Sequence, residues 1–96
     1  MEIKQLLSDA RAIWGDKKLT IDEIIVRLGV DMGDLCRWAR HADKDHAMHT
    51  DDELQKELGN IIFSVIRWCD DLGYDPEACI ERAKEAQRAF AKQSRV

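Results

Sequence analysis

Apolar residues in this chain of 96 recur three and four positions apart, and the longest unbroken apolar stretches are three residues, Ile24-Ile25-Val26 and Ile61-Ile62-Phe63 among them. Spacing of that kind gathers side chains on one face of a helix. It also leaves nothing that reads as a membrane span, which needs about 20 apolar residues in succession. One proline and five glycines supply little of the turn material that an all-β chain requires. Hydrophobic residues make up 45% and charged residues 35%, a globular balance. The expected fold is all-α, one domain over residues 1–96, because this length carries one core and not two.

Local signals divide the chain into four helices. Ile3, Leu6, Leu7, Ala10 and Ile13 give helical spacing over 2–14, and Gly15-Asp16-Lys17-Lys18 interrupts it. Thr20 with Glu23 forms a capping box in sequence, predicting a long helix to about His41. Residues 42–49 break the pattern as a polar loop. Thr50 with Glu53 repeats the capping signature, and the helix it starts runs to Leu72 before Gly73, a residue suited to the left-handed position after a helix end. Asp75-Pro76 pairs an N-cap with a first-turn proline and opens a final helix to about Lys92.

A net charge of −4 and a pI near 5.3 disfavour nonspecific nucleic-acid binding, in which Lys and Arg neutralise phosphates. Cys36, Cys69 and Cys79 have no paired spacing and read as free thiols in helices. The acidic, broken start MEIKQLLSDAR does not read as a signal peptide. With no membrane segment, the expected location is the cytoplasm.

The second helix carries an anomaly. Its apolar stripe runs Ile21, Ile24, Leu28, Leu35, Ala39 and Ala42, with Ile25 and Met32 beside it, and Asp31 interrupts the stripe. A core-facing carboxylate needs a partner or a metal. Asp34 lies three residues on, with Trp38 a turn beyond. On the third helix, Glu57, Asn60 and Ser64 follow one line at spacings of three and four. Two antiparallel helices can therefore present Asp31, Asp34, Glu57 and Asn60 to a shared cleft suited to a hard cation, which prefers oxygen ligands. The plainer alternative pairs Asp31 with Arg27 or Arg37.

These residues also resemble a family. Arg27-Leu28-Gly29-Val30-Asp31-Met32-Gly33-Asp34-Leu35 is similar to the K-L-x-E-E-x-G-E-L segment of MazG-like all-α nucleoside triphosphate pyrophosphohydrolases. Glu57-Leu58-Gly59-Asn60-Ile61-Ile62-Phe63 resembles their E-L-G-D-h-h-F segment, where h is hydrophobic, and Leu72-Gly73-Tyr74-Asp75-Pro76-Glu77 resembles their L-G-I-D-P-E turn. The likeness spans roughly residues 20–92, including the closing helix Ala78 to Phe90.

The resemblance implies a homodimer or tetramer that cleaves nucleoside triphosphates to monophosphate and pyrophosphate with Mg²⁺, or Mn²⁺ in its place. By position it implies Asp31, Asp34, Glu57 and Asn60 as metal ligands, with Glu57 and Asp34 as the catalytic acids. Several positions depart from the pattern. Val30 stands where a glutamate is usual, Asn60 replaces an aspartate, and two expected glutamates are shortened to aspartate. In the last helix Lys84 and Ala86 replace the usual asparagine and lysine. These changes imply a weakened metal grip and attenuated turnover.

Among substrate-binding candidates, Trp14 precedes the second helix, where such enzymes often place an aromatic, and Trp38 shares the side of Asp34. Trp38 and Trp68 also suit core or interface packing. Lys17, Lys18 and Arg27 are candidates for phosphates, and Lys84 occupies a phosphate-gripping place in the resemblance. His41, His46 and His49 follow no zinc-ligand spacing. Two alternatives to an enzyme stand. One is a catalytically silent nucleotide-binding or dimerisation module. The other is a helix-turn-helix DNA-binding protein with Gly29 as the turn, which would face DNA with Asp31 and Asp34.

Overall fold

Four helices form the chain in the computed structural model, which describes residues 1–40 and 49–94. They are α1 (Ile3–Trp14), α2 (Ile21–Arg40), α3 (Asp51–Asp71) and α4 (Pro76–Ser94). The loop expected at 42–49 lies outside the described residues except for His49, and so do His41 and His46.

Each boundary has a local cause. The Thr20 hydroxyl accepts the Glu23 N–H at 3.3 Å while Glu23 Oε1 accepts the Thr20 N–H at 3.1 Å, completing the capping box. These bonds hold the Glu23 carboxyl below its usual range. At α3 only the forward half of the box follows the expectation. Thr50 Oγ1 accepts the Glu53 N–H at 3.1 Å, and the Glu53 carboxylate pairs with Lys56 at 2.8 Å. Gly73, at φ 81°, closes α3: its N–H donates to the Asp70 carbonyl and that of Tyr74 to the Cys69 carbonyl, a Schellman motif. Asp75 then caps α4 by accepting the Glu77 N–H at 3.2 Å. Helix α2 runs unbroken through Gly29, so the turn that a helix-turn-helix needs at that glycine is absent.

Helix α3 is the spine, packing against α1, α2 and α4. Two bonds pin the antiparallel α2–α3 pair near its ends. Trp38 Nε1 donates to the Thr50 carbonyl at 3.0 Å, and the Leu19 N–H donates to Asp71 Oδ2 at 3.2 Å. Arg11 ties α1 to the end of α3 by donating to Asp70 Oδ2 at 2.7 Å and Asp71 Oδ1 at 2.5 Å. Its guanidinium is held above its usual range, chiefly by the Asp70 bond.

The core is small. Ala10, Ile24, Ile66 and Trp68 are the buried apolar residues among those described, with Pro76 at the start of α4. On α2, only Ile24 of the expected stripe is fully buried; Ile21, Leu28, Ile25 and Met32 face outward, as do Leu58, Ile62 and Val65 on α3. The radius of gyration is 16.0 Å, whereas a compact chain of this length measures about 12.5 Å. The accessible surface is 7569 Å², whereas a folded monomer of this mass exposes about 5,700 Å². Cys36 is exposed while Cys69 and Cys79 are half-buried, and all three are free thiols. No described helix is long and apolar enough to cross a membrane.

Candidate functional site

A polar seam runs along α3. Glu57, Asn60, Ser64, Arg67 and Asp71 follow one another at helical spacing, on the side that α1 and α2 approach. At the centre of this seam the three elements leave a cleft of about 410 Å³. Trp14 at the end of α1 lines it, with Lys17 and Leu19 from the connection into α2. Helix α2 contributes Arg27, Val30 and Asp31, and α3 contributes Asn60, Ser64, Arg67 and Trp68.

The connection between α1 and α2 holds its course through local bonds. Gly15 has φ 82° and ψ −167°, a conformation open to glycine, and its N–H caps α1 on the Arg11 carbonyl at 2.8 Å. Four residues later the Leu19 N–H is held by Asp71. Lys17 is thus suspended between two anchored points at the cleft's edge.

The electrostatics are predominantly cationic. Among the described lining residues, Lys17, Arg27 and Arg67 oppose the single carboxylate of Asp31. Neither Arg27 nor Arg37 forms an ion pair with Asp31 among the described residues, so the plainer reading of that acid does not account for it. The Arg67 guanidinium lies 5.0 Å from the centroid of the Trp14 ring. Burial pushes Arg67 below its usual range; the charge of Asp71 acts against this, and those of Arg11 and Arg27 act with it. The Nε–H of Arg67 and the Nε1–H of Trp68 are buried and have no acceptor among the described residues.

The structure brings five expected site residues, Trp14, Lys17, Arg27, Asp31 and Asn60, to one cleft. Val30 lines it too, so three of the positions that depart from the resembled pattern, Val30, Asp31 and Asn60, face the same space. Asp34 and Glu57 are half-buried and do not line it. The antiparallel register sets them level with each other, one turn nearer the Trp38 end. One Glu57 oxygen is 3.9 Å from Lys56 Nζ, and the other is buried without a donor among the described residues. No three His, Cys, Asp or Glu side chains among those described are gathered as a metal-binding group.

Trp38 and Lys84 lie elsewhere. Trp38 stacks on His49 with ring centroids 4.0 Å apart and bonds to Thr50, joining α2 to the start of α3. Lys84 pairs with Glu81 at 2.9 Å on the exposed side of α4. Sequence reasoning passed over Arg67 as a site residue. Its signal was present, because continuing the line Glu57, Asn60, Ser64 by three residues reaches it. No family model, curated protein or solved structure matches this chain.

Proposed function

We propose that the cleft is a nucleoside triphosphate site and that the chain is an attenuated, Mg²⁺-assisted pyrophosphohydrolase working as a homo-oligomer. The observation that carries the reading is the company kept in the cleft: the Trp14 ring, 64% exposed, beside three cations, with Asp31 and Asn60 on facing helices. An exposed indole suits stacking on a base, and guanidinium forks suit phosphate oxygens.

The donors fit a metal that arrives with its substrate. Mg²⁺ takes one or two carboxylates plus phosphate oxygens and water, and does not need an all-protein cage. Asp31 and the amide oxygen of Asn60 would hold it, and the buried, undonated Glu57 oxygen offers a further acceptor along the same seam. When bound, the ion supplies charge neutralisation at the phosphates and acidifies a water. Glu57 and Asp34, one turn along the seam and outside the cleft lining, are the acids that would take up the proton of an attacking water. Lys17, Arg27 and Arg67 orient the phosphates, and Trp14 the base.

Oligomerisation is supported by the surface. The excess over a compact monomer is about 1,900 Å², more than the roughly 800 Å² that one partner contributes to a standard interface. The outward apolar residues of α2 and α3 supply the face. A silent nucleotide-binding module is the second reading, favoured by the cationic balance of the cleft and by Val30 and Asn60 standing where acids would act.

The test is pyrophosphate release from ribo- and deoxyribonucleoside triphosphates with Mg²⁺. Wild type should turn over slowly, and Glu57→Gln should abolish release while the helical circular dichroism persists. The double variant Val30→Glu, Asn60→Asp should raise the rate by about 10²–10³, the value of one preorganised electrostatic group. Val30 is exposed, so its replacement does not disturb the core. Should neither wild type nor the double variant release pyrophosphate from any triphosphate, the enzyme reading is abandoned in favour of the silent module.

A further inference from the structure

We propose that Arg67, with Arg27 and Lys17, forms a seat that binds a diphosphate group directly, with no metal ion required. The inference deepens the nucleotide reading by assigning its phosphate end, and it rests on the same cleft.

Arg67 is central because no acid among the described residues pairs with it. Its nearest acid along the seam, Asp71, has both oxygens committed, one to Arg11 and the other to the Leu19 N–H. Asp70 is likewise taken by Arg11. Arg67 has no ion-pair partner among the described residues and instead lies against the Trp14 ring. A half-buried guanidinium has lost water and gained no counter-charge in exchange, a costly arrangement that an anion would relieve. Arg27 and Lys17 line the same space and repel it further. The orphaned Trp68 Nε1–H at the cleft wall adds a neutral donor in want of an oxygen.

The charge count decides the class of ligand. Three cations against the one carboxylate of Asp31 leave a net balance of about two positive charges, which suits an anion of at least two charges with oxygens enough for several cations, as a diphosphate has. A neutral or cationic ligand would leave Arg67 as it is. A single carboxylate would satisfy one fork and leave the other cations opposed. The three cations come from three separate segments, the connection after α1, α2 and α3, which meet at the cleft. Trp14 stands over Arg67, so anion binding there should also change the indole's surroundings.

Isothermal titration with inorganic pyrophosphate in EDTA tests the proposal on the whole chain. Wild type should bind one pyrophosphate per chain and lose affinity as salt rises. Arg67→Ala should weaken binding by about tenfold to a hundredfold, and Arg67→Lys by less, because a lysine keeps the charge without the fork. Lys92→Ala, an exposed lysine on α4, should bind as wild type does. Arg67→Met keeps the stem's packing and guards against a folding defect in the alanine variant. The emission of Trp14, isolated by comparison with Trp14→Phe, should shift on binding.

Absence of binding in EDTA, or equal binding by wild type and Arg67→Met, overturns the proposal. Titration with a nucleoside triphosphate and Mg²⁺ then separates the two claims. If that complex forms while metal-free pyrophosphate does not bind, the seat is wrong and the nucleotide reading stands. If pyrophosphate binds and no nucleoside triphosphate does, the seat stands and the nucleotide reading falls.

Discussion

Removal of the Asp71 carboxylate should damage the fold more than removal of its neighbour Asp70. The Asp71 side chain is fully buried, one oxygen accepting from Arg11 at 2.5 Å and the other from the Leu19 N–H at 3.2 Å. Asp71→Ala deletes a charge-assisted hydrogen bond worth about 1.5–3 kcal/mol and orphans a part-buried N–H at a further 1–3 kcal/mol or so. Arg11 keeps Asp70, which limits the loss, so the expected destabilisation is about 3 kcal/mol, at the low end for a broken buried pair. The neighbouring Asp70 provides an internal standard. Its side chain is 33% exposed, and water replaces most of what the pair supplies, so Asp70→Ala should cost about 0.5–1 kcal/mol.

Asp71→Asn separates the two contributions, because its amide oxygen still accepts from Leu19 while the charge is gone. It should fall between the other variants. Urea unfolding followed by circular dichroism at one fixed chain concentration measures all three, since stability of an oligomer depends on concentration. For a chain of this size a loss of 3 kcal/mol lowers Tm by about 12 °C or more. Equal stabilities for Asp71→Ala and Asp70→Ala would refute the reasoning. The same variant should weaken pyrophosphate binding, because Leu19 loses its anchor and the connection carrying Lys17 loosens.

The apolar face should show in solution: wild type is expected to sediment as a dimer or tetramer at micromolar concentration, and Ile62→Glu to shift it toward monomer with a lower Tm. A stable wild-type monomer would remove the oligomer claim. The thiols should differ in reactivity toward a disulfide reagent at pH 8. Exposed Cys36 should react first, and Cys69 about a hundredfold more slowly, because burial and then the hydrogen bond with the Cys79 thiol push Cys69 up to about 11 from 9.0. The raised value means the fold favours the protonated thiol. The corresponding stability is full below pH 9 and is lost as pH rises through about 11, a loss that Cys69→Ala should lack. A Tm that falls equally in both proteins would count against this cause.

The helix boundaries were legible because their causes are local. Thr20 reaches Glu23, Thr50 reaches Glu53, Gly73 turns back onto Cys69 and Asp70, and Asp75 caps Glu77, all within five residues. Contacts at that range depend on one helix end and on nothing across the molecule. The polar seam of α3 was equally written in its spacing, though its reading stopped at Ser64. Tertiary structure alone decided which groups meet. Periodicity marked α2 as apolar on a broad arc, and could not say that Ile24 faces inward while Ile21, Leu28 and Met32 face out. Burial within the chain and burial against another copy demand the same residue types. The pairing of Arg11 with Asp71, and of Arg67 with Trp14, joins positions more than 50 apart in the chain. Their meeting depends on the register and approach of α1 and α2 across α3, quantities that no helical repeat encodes. The same geometry placed Asp31 and Asn60 together in the cleft and left Trp38 bracing the far end of the helix pair.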